Sequence, residues 1–362
     1  MQTRKSYHLK IVILAAVLIA AVLISIVIGR YSVSLGDMAK ILHSEFTGFL
    51  IRLENWFSQH LHIDPGWDLQ YPEPDWQQGA DKVLLEIRLP RIAAALLIGA
   101  ALSTAGCVYQ GMFRNPMVSP DILGASTGAG FGAALSIMLG AGYFTISAVS
   151  FCFGMIAVML AYTVSRISRA NETIALILAG MIVSSLFSSG VSFIKLVADT
   201  QEQLPAITYW LMGSLSSIKV KDVNFIFWPI IIGLTPLLLL RWRMNLLTVE
   251  EESAVTMGVN TRILRFVVVI CATLLTAASV AVSGMIGWTG LVIPHFCRMI
   301  FGYDYRRLIP ASVLFGASFL LIVDDVARIA TTAEIPLGLL TSFIGAPLFL
   351  YLLVTGGGRA EQ

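Results

Sequence analysis

The chain has 362 residues, of which 57% are hydrophobic and 13% charged, with a mean hydropathy of +0.80. So few charges cannot cover a water-soluble globule of this length, which excludes a soluble enzyme or binding module and implies a chain embedded in a bilayer. The formal net charge of +2 leaves no basic excess for a nucleic-acid partner.

The first apolar run, 11–28, follows Arg4, Lys5, His8 and Lys10. It is longer than the core of a secretion signal, and Gly29-Arg30-Tyr31 lacks a small-residue cleavage site, so it reads as a retained span. Residues 31–86 then form the largest segment outside the membrane. In its first half, 35–61, Met38, Ile41, Leu42, Phe46, Phe49, Leu50, Leu53, Trp56 and Phe57 fall near helical spacing, which predicts an amphipathic helix at the membrane surface. The second half, 64–81, is rich in Pro, Trp and Asp and reads as loop. His60, His62 and Asp64 read as plain surface rather than as a metal site.

Nine further runs follow at 92–112, 122–139, 143–164, 173–194, 223–240, 266–286, 288–301, 308–323 and 337–354, making ten candidate spans. An even count puts both termini on one side. The run 288–301 is short and carries His295 and Arg298; were it re-entrant, the C-terminus would change side. Placing the N-terminus in the cytoplasm makes the cytoplasmic connections net basic and the outer ones net acidic. Small residues recur at Gly99, Ser103, Gly106 and at Gly124, Gly128, Gly132, spacings that let helix backbones approach closely in lipid. Between those sets lies the polar corner Arg114-Asn115-Pro116, whose composition suits a turn.

The chemistry-bearing residues are sparse. Cys107, Cys152, Cys271 and Cys297 fall in spans without a CxxC pair, so they act as small apolar residues and no zinc or redox centre is indicated. GASTGAG lacks the GK[ST] ending of a phosphate-binding loop. No nucleophile, base or carboxylate pair converges, so no catalytic residue, metal or cofactor is expected, and a membrane-embedded enzyme is disfavoured. The central portions of the spans carry no charge, which disfavours an ion-coupled secondary transporter. If the chain transports, its energy must be applied from outside the membrane. His295 reads as a buried, hydrogen-bonded histidine rather than a ligand.

One connection looks built to receive that energy. Arg243-Met244-Asn245-Leu246-Leu247 leads into Thr248-Val249-Glu250-Glu251, a capping box in which Thr248 accepts from the Glu251 amide while Glu251 reaches back. The helix should run through Ala254 to Met257 and end at Gly258 in a left-handed cap. About nine residues are marginal as an isolated helix, so this one needs a surface to dock on. Elsewhere, Ser184, Ser185, Ser188, Ser189 and Ser192 place hydroxyls on one helical face, which suits either a water-accessible pathway or hydrogen bonding between helices.

Several motifs in order then carry a resemblance: RLPR at 88–91, RNPMVSPDILGASTGAG at 114–130, MNLLTVEEESAVTMGVN at 244–260, SGMIGWTGLVIPHFCRMIFGYDYRRLIP at 283–310, DDVAR at 324–328 and EIPLGLLTSFIGAPLFLYLL at 334–353. From about Arg88 to its end the chain resembles FecCD-type permeases, the membrane subunits of ABC importers for iron complexes, haem, cobalamin and, in some members, molybdate. The resemblance implies an all-α polytopic membrane protein of about ten transmembrane helices, a single permease domain over 1–362, with 31–86 outside and 244–260 as the cytoplasmic coupling segment. It also implies an inverted relation between the second to fifth and seventh to tenth spans, of which LSTAGCVYQG and VAVSGMIGWTG are a faint echo. The implied partners are a second copy of the chain, two ATPase subunits that hydrolyse the ATP, and an extracytoplasmic substrate-binding protein, all at the inner membrane. Thr248, Glu250, Glu251, Ala254, Met257 and Gly258 would meet the ATPase. Arg88, Arg91 and Arg328 would meet acidic residues of the binding protein, unless they merely neutralise Asp324, Asp325 and Glu334. A ferric siderophore is the expected cargo, with haem, cobalamin or molybdate as alternatives.

Overall fold

The computed structural model describes residues 2–61, 67, 70, 72, 74–168, 171–248, 260–331 and 333–356. Among these, every one of the ten apolar runs folds as a helix and no strand occurs. In chain order the helices are α1 (Gln2–Val27), α2 (Leu35–Leu61), α3 (Ala80–Met112), α4 (Ala125–Met138), α5 (Tyr143–Ile167), α6 (Glu172–Val197), α7 (Gln203–Met212), α8 (Val220–Leu239), α9 (Thr261–Ser283), α10 (Thr289–Phe301), α11 (Tyr305–Ile329) and α12 (Leu337–Gly356). Seven of them, α1, α3, α5, α6, α8, α9 and α11, are long and apolar enough to cross a hydrocarbon layer. α4 and α10, with 14 and 13 residues, rise only about 20 Å.

The ends of these helices follow ordinary capping chemistry. Asn171 accepts from the Thr173 amide at the start of α6, Asn260 from the Ile263 amide at α9, and Asp304 from the Arg306 amide at α11. The short α7 was not foreseen from the sequence. Its ten residues, with Pro205 in the first turn, are too few to register as a span.

α3 is the centre of the bundle. Its apolar window is 83% buried, whereas that of α1 is 17% buried, with Leu9, Val12, Ile13, Val17, Leu23 and Ile24 left facing outward. Such a helix as α1 is solvated by lipid, and α3 by protein. The small residues of α3 explain how neighbours reach it. A Cβ on Gly99 would lie 2.3 Å from the Gly316 carbonyl oxygen of α11, and one on Gly106 only 1.7 Å from that of Gly290 in α10. Ser103, between them, donates to the Ser312 carbonyl of α11 at 2.6 Å. Gly128 and Gly132 of α4 take the same role against the Phe153 and Val149 carbonyls of α5.

α1 is tied to the bundle near both of its ends. At one end, Tyr7 of α1 packs edge-on to Phe301, and the Arg307 guanidinium lies 5.2 Å from the Tyr7 ring centre. At the other, α1 ends against Arg88 of α3. The predicted amphipathic helix is α2, which buries Met38 and Ile41 against Ala80 and Leu84 and exposes Leu42, Phe46, Phe49 and Trp56. His60 at its end faces the Trp56 carbonyl at 3.2 Å and stacks on the Trp56 ring, while His62 and Asp64 lie outside the described residues.

Candidate functional site

The end of the bundle that holds Tyr7 is built around the Arg114-Asn115-Pro116 corner. Arg114 adopts a left-handed backbone with φ 50°, uncommon outside glycine. That turn lets the Asn115 amide donate to Gln110 O at 3.0 Å, and Asn115 Oδ1 then accepts from the Met117 amide at 2.9 Å. Asn115 therefore shapes the turn, as its position before Pro116 suggested.

This corner touches the base of the expected coupling segment. Arg243–Leu247 forms a 3-10 turn whose Met244 and Leu247 are buried, and Arg114 Nε donates to Leu247 O at 3.1 Å. Asn245 Nδ2 donates to Asp304 Oδ1 at 2.8 Å while Asn245 Oδ1 accepts from the Tyr305 amide at 2.9 Å, which ties the turn to the start of α11. Burial pushes the Asp304 carboxyl up, but the Asn245 hydrogen bond, the Arg306 amide and the cations Arg306 and Arg307 outweigh it and hold the group below its ordinary range. Thr248 donates its hydroxyl to Asn245 O at 2.7 Å. Glu250, Glu251, Ala254, Met257 and Gly258 lie outside the described residues, and the chain resumes at Asn260, the cap of α9.

Beside the corner, between α3 and α10, lies an open cavity of about 350 Å³ that Thr248, Tyr303 and Tyr305 also line. Gln110 Nε2 donates to the carbonyls of Val118 at 3.1 Å and Leu291 at 3.2 Å, and its Oε1 accepts from the Arg298 guanidinium. His295, one turn before Arg298, is half-buried and edge-on to Phe349, and its Nδ1 has no hydrogen-bond partner among the described residues. The expectation of a hydrogen-bonded histidine is thereby corrected: the ring packs against α12 and leaves that nitrogen unspent.

The opposite end gathers charge that the sequence seemed to keep out of the spans. α3 begins before its apolar run and α11 continues past it, so Arg91, Asp324, Asp325 and Arg328 all sit within helices. Arg91 grips Asp324 with two bonds, Nε to Oδ2 at 2.8 Å and Nη2 to Oδ1 at 2.9 Å, and reaches Glu334 at 3.0 Å. Arg328 Nη2 lies 2.5 Å from Asp325 Oδ1, which also accepts from Ser25 of α1 at 2.7 Å. Arg88 donates to the last carbonyls of α1, Ile26 at 2.7 Å and Val27 at 3.3 Å, where the helix dipole favours a cation. Docking asks for guanidiniums that face outward, whereas Arg88, Arg91 and Arg328 are 3%, 4% and 5% exposed. A partner reaches them only if this corner opens.

The serines of α6 are divided. Ser185, Ser188, Ser189 and Ser192 are exposed on the isolated chain, with Ser192 donating to Ser188 O at 3.0 Å, and Ser184 is half-buried near Gly124. The Arg298, Gln110 and His295 constellation escaped the sequence reading, since nothing in one dimension brings together residues as much as 188 positions apart.

The sequence model of the FecCD transport family matches residues 17–355. The chain is 40% identical over 336 residues to the molybdate import system permease protein MolB of Haemophilus influenzae, covering 92% of each protein. It is 42% identical over 271 residues to a probable iron chelatin transport system permease of Helicobacter pylori, covering 75% of this chain and 82% of that one. Among solved structures it resembles, with a TM-score of 0.80 and 37% identity, a transporter described as of metal-chelate ABC type in an inward-facing conformation, over 95% of this chain and 98% of that one.

Proposed function

Because the chain belongs to the FecCD transport family and is a membrane permease subunit of an ABC importer, we propose that it passes a ferric siderophore or related metal chelate into the cytoplasm, using ATP hydrolysed by a partner chain. The observation that carries the coupling half of this reading is the junction of Arg114, Asn245, Leu247 and Asp304. It anchors the segment 249–259 at Thr248, and Asn260 anchors it again at α9. A docked segment held at both ends transmits a push to α3, α9 and α11 together. On this reading the junction, both termini and the segment lie on the cytoplasmic side, and the Arg91 corner lies outside.

The metal-chelate reading is supported by the iron chelatin relative and the metal-chelate type structure. Molybdate is the second reading, supported by 40% identity that runs the length of both chains. Parallel uptake of ferric siderophore and molybdate by cells with and without this chain separates them. Loss of siderophore uptake alone supports the first reading, and loss of molybdate uptake alone replaces it.

The subunit works as a pair of copies with two ATPase subunits below and a binding protein above. Coupling through residues 248–258 predicts that Ala254→Pro, which costs a helix about 3 kcal/mol, abolishes uptake while membrane insertion and subunit assembly persist. Normal uptake would refute the assignment. Cysteines placed at Ser185, Ser188 or Ser189 should react with aqueous thiol reagents if this face lines the pathway, and uniform protection in every nucleotide state removes it. Docking through Arg88, Arg91 and Arg328 requires the outer corner to loosen when the binding protein arrives, so their charge reversal must lower affinity beyond any loss of fold.

A further inference from the structure

Among the described residues, the cavity between α3 and α10 is lined by two cations, Arg114 and Arg298, with His295, Gln110, Thr248 and Tyr303, and by no carboxylate. Arg298 is 9% exposed, and among the described residues its sole hydrogen-bond acceptor is the neutral Gln110 Oε1. An amide oxygen satisfies one of five guanidinium N–H donors and cancels none of the charge. Burying a cation without a counter-ion is costly, and in this molecule Arg91 and Arg328 at the other end are both matched to carboxylates. His295, three residues before Arg298 on the same helix face, adds a ring nitrogen that is buried and unbonded.

We propose that this cavity binds a tetrahedral oxyanion. Two of its oxygens would sit on the Arg298 fork, the geometry for which a guanidinium is suited. A third would accept from His295. The volume of about 350 Å³ leaves room for the ion with part of its water. The ion comes from one of two sources: phosphate or sulfate of the surrounding solution, or a carried oxyanion leaving the pathway.

Calorimetric titration of the purified full-length chain in lipid nanodiscs tests this, with sodium phosphate, sulfate and molybdate at fixed ionic strength and chloride as reference. The wild-type chain should show saturable oxyanion binding. Gln110→Glu hands Arg298 a fixed counter-ion and should weaken that binding at least about tenfold without unfolding the chain, while Arg298→Lys keeps the charge, loses the fork and should weaken it about tenfold. If either substitution destabilises the bundle, His295→Ala removes a donor away from the Gln110 contact and should still weaken binding. Molybdate preferred at least about tenfold over phosphate and sulfate assigns the site to a carried ion, and equal affinities assign it to the ions of the solution. No saturable binding by wild type, or wild-type affinity in the folded Gln110→Glu variant, overturns the proposal. Because binding is read on the chain alone, a wrong transport substrate leaves the result untouched.

Discussion

The two ends of the α3 helix bury arginine in opposite ways. At the Arg91 corner each cation is answered: Asp324 and Glu334 for Arg91, Asp325 and Ser25 for Arg328, the end of α1 for Arg88. At the Arg298 cavity the cation is held by an amide and faces open volume. The first arrangement resists water and motion, because separating its partners would expose bare charges in a dry place. The second leaves a buried cation without a carboxylate among the described residues, and it adjoins the turn that leads into the proposed coupling segment.

The comparison breaks most visibly at Asp324. Replacing it with leucine strands Arg91 on Glu334 alone and should cost about 3–5 kcal/mol, measured by denaturation of the detergent-solubilised chain. Pairing Asp324→Leu with Arg91→Met should recover much of that loss, and equal losses in single and double variants would show that the pair is not a unit.

Between the two ends, Gly106→Ala pushes a methyl into the Gly290 carbonyl and should cost about 1–3 kcal/mol. Gly287→Ala, with nothing within 4 Å of the new Cβ, should stay within about 0.5 kcal/mol. Equal melting shifts for the two would mean that α3 and α10 do not approach as closely as described.

Arg298→Gln sharpens the contrast from the other side. Deleting an unanswered buried cation should change stability by less than about 1 kcal/mol, where the same change at Arg91 leaves Asp324 unpaired and costs several times more. Comparable costs would make the two ends alike.

A pH-dependent effect lies at Asp304. Its carboxyl is held below its ordinary range, so it adds stability that is present above the unfolded-state pKa of about 3.9 and is lost as pH falls through the lower folded value. Asp304→Asn keeps the helix cap but removes that titration, flattening the stability profile below about pH 4; Asp304→Ala should cost about 1 kcal/mol at neutral pH through loss of the cap. A wild-type profile unchanged in the asparagine variant would detach Asp304 from the acid sensitivity.

Much of this was legible in one dimension, for physical reasons. Lipid demands long apolar runs, and each of the ten runs became a helix; the spacing of Met38, Ile41, Phe46 and Phe49 placed α2 with its observed limits. Helix ends were less legible, since Arg91, Asp324 and Arg328 look like terminators until their partners are seen across more than 230 positions of sequence for Arg91 and Asp324, and about 300 for Arg328 and Ser25. The small residues of α3 announced close packing, but not that Gly99 meets α11 and Gly106 meets α10. The cavity was invisible for a related reason: its chemistry lies in Gln110 accepting from Arg298, an ordinary residue at an unremarked position.

One further consequence follows from the winding at the start of α3. Val83–Arg88 forms a π turn, its Leu89 amide bonded to Leu84 O, so the helix carries one residue more there than α-winding would hold. Ala80 and Leu84, which seat α2, are thereby phased against Arg91, which seats α11. Removing a single residue within 85–87 would restore regular winding and leave the α2 docking face nearly in phase, whereas removing one from the regular turn that follows Leu89 would swing that face about 100° around the helix axis. The register between the surface helix and the membrane core is thus counted in single residues, and a deletion too small to shorten any span would still separate them.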